Sequence, residues 1–226
     1  MERTARPLPL IGEAFALLRG EGLYGPGRSV VPWRQLVLLV VAGGFLYGAA
    51  MGTFGLRALQ ALYSASKVPL LLGFATLVCL PSFYVVNVLL GLRDDFSAAC
   101  RGVFAAQATL AVVLAALAPL TLFVYVSTED YAQAIVGNGV MFLVATVTGQ
   151  VTLSHHYRTL IAQNPRHRVG RALWVVLYVF VAIQLAWVLR PFVGSPGIPT
   201  GFLRENAWSN AYVQVFAAVA TLFGGG

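Results

Sequence analysis

From Trp33 onward, long apolar runs alternate with short polar breaks, the pattern of membrane-spanning helices. Spans are predicted at about 33–54, 68–92, 102–126, 131–153 and 172–189. A further run, 207–223, holds 17 residues, at the short end for crossing, so the count is six, or five if it lies partly in the interface. Ahead of them, Leu10/Ile11, Ala14/Phe15 and Leu17/Leu18 recur at helical spacing, with Glu13 and Arg19 off the stripe. This predicts a short amphipathic helix in the interface plane, either covering the cytoplasmic ends of the spans or docking a partner. Gly25, Pro26, Gly27 and Pro32 break it before the first span. The expected fold is all-α: a cytoplasmic segment over 1–32 and a polytopic transmembrane helix bundle over 33–226.

Within the first span, Gly44, Gly48 and Gly52 recur every four residues and share one face. Such a face admits a second backbone closely, for packing inside the bundle or for dimerisation. Pro81 is expected to kink the second span, and Pro119 falls in the third. Gly137-Asn138-Gly139 predicts an irregular or close-packed turn in the fourth. No Asp, Glu, Lys, Arg or His falls inside these first four predicted spans, which counts against a proton-coupled pump or transporter. The intramembrane polar groups are amides instead. Asn87, Gln107 and Gln150 lie near the cytoplasmic ends of three spans and are expected to form one layer, with Asn138 and Gln184 in a second. They are read as interhelical glue or, alternatively, as a solute site.

Composition supports the membrane assignment: of 226 residues, 58% are hydrophobic and 10% charged, with mean hydropathy +0.78. Soluble domains carry about 25% charged residues. The net charge of +7 sits in short flanks rather than one patch, so no nucleic-acid partner is expected. With the N-terminus inside, eleven arginines (3, 6, 19, 28, 34, 93, 101, 158, 166, 168, 171) fall on the cytoplasmic side. Arg57, Lys67, Arg190 and Arg204 fall outside, which orients the chain N-terminus in. Cys79 and Cys100 lack metal-ligand spacing and are expected to be buried thiols. No cleavable signal peptide is expected.

Two stretches carry most of the remaining chemistry. HHYRTLIAQNPRHRVGR (155–171) is read as a loop just past a helix C-terminus, with Arg158, Arg166, Arg168 and Arg171 attracting lipid headgroups. Its histidines lack a carboxylate or cysteine to complete a metal site. QLAWVLRPFVGSPGIPTGFLREN (184–206) is expected to face outward as a shaped, proline-rich loop. There Gln184, Trp187, Arg190, Arg204 and Glu205 form either an interface belt or a partner or ligand contact, Arg190 snorkelling or stacking on the indole. No catalytic, cofactor or metal constellation stands out, so the chain is expected to be non-enzymatic and to need no cofactor.

The segment KVPLLLGFATLVCLPSFYVVNVLLG resembles the Yip family of Rab-interacting membrane proteins and its bacterial relatives, through Pro69, Pro81, Ser82 and Asn87. The resemblance implies a cytoplasmic N-terminal segment, about five spans and an organising or trafficking role, with no catalytic residues to carry over. The expectation is a scaffold, adaptor or subunit of a larger assembly in the bacterial inner membrane. Its partners would be the lipid bilayer and other membrane subunits or copies of itself. The alternative is an oligomeric channel or passive transporter for a small solute or ion.

Overall fold

The computed structural model describes residues 9–21, 24–25, 32–194, 199–203 and 213, and every regular element among them is helical. The order is α1 (Leu10–Arg19), α2 (Trp33–Gly52), a 3-10 turn (Phe54–Leu56), α3 (Ala58–Leu89), α4 (Phe96–Ser127), α5 (Tyr131–Gln163) and α6 (His167–Leu189). Five of them, α2 to α6, are long and apolar enough to cross a membrane. Val136, Val140, Leu143, Val147 and Val151 of α5 point outward, whereas Gln107, Thr109, Thr121 and Asn138 are buried. Apolar side chains outside and polar ones inside, with Gln107 and Asn138 hydrogen-bonded, is the arrangement a bilayer favours, and the chain is an integral membrane protein. The expected sixth span, 207–223, lies outside the described residues except for the helical Val213, and so do Arg204 and Glu205.

The bundle is an arc. α2 is its centre, packed along both α3 and α4; α5 lies beyond α4 and α6 beyond α3. The arc's two ends, α5 and α6, are joined by the turn 164–166 but touch little along their lengths. The glycine face of α2 is turned inward onto α3. A Cβ on Gly44 would lie 3.0 Å from Pro69 N, and one on Gly52 would lie 2.5 Å from Ala61 Cα. One on Gly48 would run into the Ser64 carbonyl. Gly43 serves the other side of α2, against the Ala111 carbonyl of α4. These glycines pack the bundle from within, where close backbone approach supplies dispersion contacts that lipid cannot.

Three helices run longer than their apolar cores. At 1.5 Å per residue, the 32 residues of α3 extend about 48 Å, against a hydrocarbon core of about 30 Å. α3 therefore begins ten residues before the span predicted from Val68, and Lys67 lies within it, fully buried. This corrects the placing of Lys67 in a loop, while the predicted span 68–92 itself holds no Asp, Glu, Lys, Arg or His. α5 likewise runs through 154–163, so His155, His156 and Arg158 are helical rather than in a loop. Arg168 and Arg171 sit in the opening turns of α6, not past a helix C-terminus. The chain is also helical through Gly137–Gly139 and through Pro69, Pro81 and Pro119.

α1 ends on Gly20 at φ 64°, with Glu21 N–H on Ala16 O and Gly20 N–H on Leu17 O. That left-handed cap suits glycine and satisfies two terminal carbonyls. Leu17 packs inward and Glu13 is buried beside it, accepting from Tyr24 Oη at 2.5 Å. Burial, and then the Glu13 carboxylate, hold the Tyr24 hydroxyl above the ordinary tyrosine range. Ile11, Phe15 and Leu18 remain exposed, the apolar face of an interfacial helix.

Candidate functional site

At the end of the bundle away from α1, a cavity of about 550 Å³ opens between α5 and α6. Tyr131, Ile135, Asn138, Gly139 and Phe142 of α5 form one wall, and Ala186 of α6 with Arg190 just past its end forms the other. Met51 of α2 and Leu71 of α3 contribute apolar surface, while Arg57 and Gln60 stand with Arg190 at the loop side. The volume falls in the range of ligand pockets, about 300–1,000 Å³.

The loop leaving α6 borders this cleft, and α3 holds it. Gln60, Ser64, Lys67 and Leu71 fall at intervals of four, three and four residues, one face of the helix. Gln60 Nε2 donates to Pro191 O at 3.2 Å and Phe192 O at 3.0 Å, and Ser64 Oγ donates to Phe192 O. Lys67 Nζ donates to Pro191 O at 2.7 Å and lies 5.0 Å from the Phe202 ring centroid and 6.0 Å from that of Phe192. A buried ammonium is costly unless bonded, and carbonyl and aromatic faces supply the compensation here. The peptide Arg190-Pro191 is cis. The Arg190 guanidinium stacks 3.5 Å from the Trp187 ring centroid, the pairing the sequence predicts. Arg190 lines the cleft, while Gln184 and Trp187, both half-buried, are not among its described lining residues. Arg204 and Glu205 cannot be placed relative to it, lying outside the described residues.

No family model, curated protein or solved structure matches this chain. The Yip resemblance therefore rests on the residues quoted for it alone.

Asn87, Gln107 and Gln150 are not bonded to one another, and the hydrogen bonds of Asn138 and Gln107 run to tyrosines. Asn138 accepts from Tyr47 Oη at 2.9 Å, donates to Tyr125 Oη at 2.6 Å and to Ala134 O at 2.8 Å, tying α5 to α2 and α4. Gln107 accepts from Tyr178 Oη at 2.9 Å, tying α4 to α6. Asn87 turns back on its own helix, donating to Phe83 O at 2.8 Å. Gln150 is half-buried, and among the described residues no hydrogen bond joins it to Asn87 or Gln107. The tyrosines that complete these pairs carry no special spacing, which is why the sequence points to the wrong partners.

The α1 end gathers a second polar group of residues. His167, fully buried at the start of α6, lies 3.0 Å from Asp95 Oδ2. Arg101 and His156 are buried nearby, lining a separate cavity with Asp95. Arg166 Nη1 donates to Leu90 O at 3.3 Å, while Arg158 and Arg168 are exposed and Arg171 is half-buried. Among the described residues, no three His, Cys, Asp or Glu side chains converge as metal ligands.

Proposed function

We propose that this protein is a non-enzymatic adaptor or subunit of a larger membrane assembly, and that the α5–α6 cleft with its loop is the contact surface. The observation that carries the reading is the clamp on that loop. Three polar side chains of α3 fix the main chain of 191–192 beside an apolar cleft of about 550 Å³. A shaped, preordered surface loses little entropy when a partner docks, which is what an adaptor surface requires. The open arc supports the same reading, because α5 and α6 leave side-chain surface uncovered between them.

The membrane is proposed to be the bacterial inner membrane, with the α1 end cytoplasmic. Among the described residues, Arg19, Arg34, Arg93, Arg101, Arg158, Arg166, Arg168 and Arg171 lie at the α1 end, against Arg57, Lys67 and Arg190 at the other. That imbalance follows the positive-inside rule. Passive transport has less support, since the side-chain amides of Asn138, in the cleft wall, and of Gln107 are already engaged by tyrosines. Extraction in mild detergent followed by native mass measurement tests the reading. A stoichiometric complex weakened by Ile135→Trp, which fills the cleft, is expected. A lone monomer, or solute flux through liposomes containing this chain alone, would overturn it.

A further inference from the structure

The turn between α2 and α3, at the end of the bundle away from α1, carries a side chain that the fold does not use. The two helices pack closely, a Cβ on Gly52 meeting Ala61 Cα at 2.5 Å, so the chain reverses within residues 53–57. Thr53 Oγ1 donates to Ala50 O at 2.7 Å, and Leu56 N–H donates to Thr53 O at 2.8 Å. Buried Phe54 roots the turn edge-on against Tyr125, with ring centroids 5.1 Å apart. The reversal places two consecutive residues in the left-handed region, Gly55 at φ 71° and Leu56 at φ 56°. Glycine takes that conformation freely, and leucine does not. Among the described residues, Leu56 is the one non-glycine at positive φ. At 96% exposure it is also the most exposed large apolar side chain among them.

A strained leucine whose side chain lies almost wholly outside its own chain points to a contact with another molecule. The left-handed region disfavours leucine by roughly five- to thirtyfold. Lipid compensates little, because leucine gains only about two- to threefold even at the centre of a bilayer. The turn is not at the centre: the 20 residues of α2 extend about 30 Å and already cross the hydrocarbon core. Burial in a protein socket favours leucine by roughly ten- to a hundredfold, enough to offset the strain. The turn also adjoins the α5–α6 cleft. A Cβ on Gly194 would lie 3.7 Å from both Phe54 O and Arg57 Cδ, and Arg57, next to Leu56 in sequence, lines the cleft. We propose that Leu56 is the anchoring side chain of the adaptor contact, inserted into an apolar socket that the partner membrane subunit presents at headgroup level. This rests on the cleft being the partner-binding surface, and it extends that surface over the rim to the turn.

The test follows the complex extracted in mild detergent by native mass measurement on dilution, and the stability of the isolated chain by unfolding in mixed micelles. Leu56→Gly is expected to weaken the complex at least about tenfold, as loss of a buried leucine implies, without loss of stability in the isolated chain. Leu56→Asn, which also accepts a left-handed backbone, is expected to do the same. Leu56→Met keeps an apolar side chain and is expected to hold the affinity within about threefold. Leu89→Asn, at an 80%-exposed leucine on the far end of α3, is expected to leave the complex intact. A photo-reactive side chain at position 56 is expected to join the same protein as one at Ile135 in the cleft. The proposal is overturned if Leu56→Gly and Leu56→Asn leave unchanged a complex that Ile135→Trp weakens. It is equally overturned if both lower the stability of the isolated chain, or if position 56 yields lipid adducts alone. Absence of any complex, or a complex that neither Leu56→Gly nor Ile135→Trp weakens, overturns the adaptor reading along with it.

Discussion

Replacing Gly48 with alanine tests the packing on which the bundle is built. The new methyl would meet only main chain, with Ser64 C at 2.8 Å and Ala65 Cα at 2.9 Å. Carbon atoms pack at about 3.5–4.0 Å, so α2 and α3 must part by roughly 0.7 Å or more. No side-chain rotation relieves a contact between backbones. Overpacking of a core costs about 1–3 kcal/mol, and this site belongs at the upper end. Alanine recovers about 0.8–1.0 kcal/mol of helix propensity over glycine. The net loss is about 2 kcal/mol, close to thirtyfold in the folding equilibrium. Gly139→Ala is the matched control, because a Cβ there meets nothing within 4 Å. It is expected to be neutral or stabilising by up to about 1 kcal/mol. Equilibrium unfolding in mixed micelles, followed through tryptophan fluorescence, compares the two. Equal stability of Gly48→Ala and Gly139→Ala would refute the inward placement of the glycine face.

Three further outcomes follow from particular bonds. Asn138→Leu strips Tyr47 and Tyr125 of their shared partner and is expected to cost about 1–2 kcal/mol in the same unfolding measurement, at roughly 0.6 kcal/mol or more per interhelical bond. Gln60→Ala removes two bonds to the 191–192 main chain, and hydrogen exchange there is expected to speed up by roughly tenfold or more while the bundle core stays protected. For Tyr24, the raised folded pKa means its contribution to α1 docking is complete below the ordinary tyrosine pKa of about 10 and is lost as pH rises beyond it. Protease protection of α1 is therefore expected to hold through neutral pH and fall in strong alkali, with Tyr24→Phe abolishing that alkaline step.

The apolar runs make the spans legible because each crosses the bilayer on side chains that face lipid or core. Their ends are less legible. α3 begins with ALQALYSASK, where Gln60, Ser64 and Lys67 end an apolar run yet continue one helical face. That four-and-three spacing carries the helix through Lys67. Gly44, Gly48 and Gly52 were readable because a backbone contact needs small residues at fixed spacing. The Asp95–His167 and Gln107–Tyr178 pairs span more than seventy residues, 72 and 71, and leave no local trace. The stacking of Arg190 on Trp187 is legible because the two are three residues apart at the end of one helix, Arg190 as its C-cap.

The contact surface itself is tested most directly by photo-crosslinking in intact membranes, with the reactive side chain placed at Ile135 in the cleft or at Val147 on the outward face of the same helix. The adaptor account predicts a discrete protein adduct from position 135 and only lipid adducts from position 147. Lipid adducts alone from both positions, or the same protein adduct from both, would contradict it.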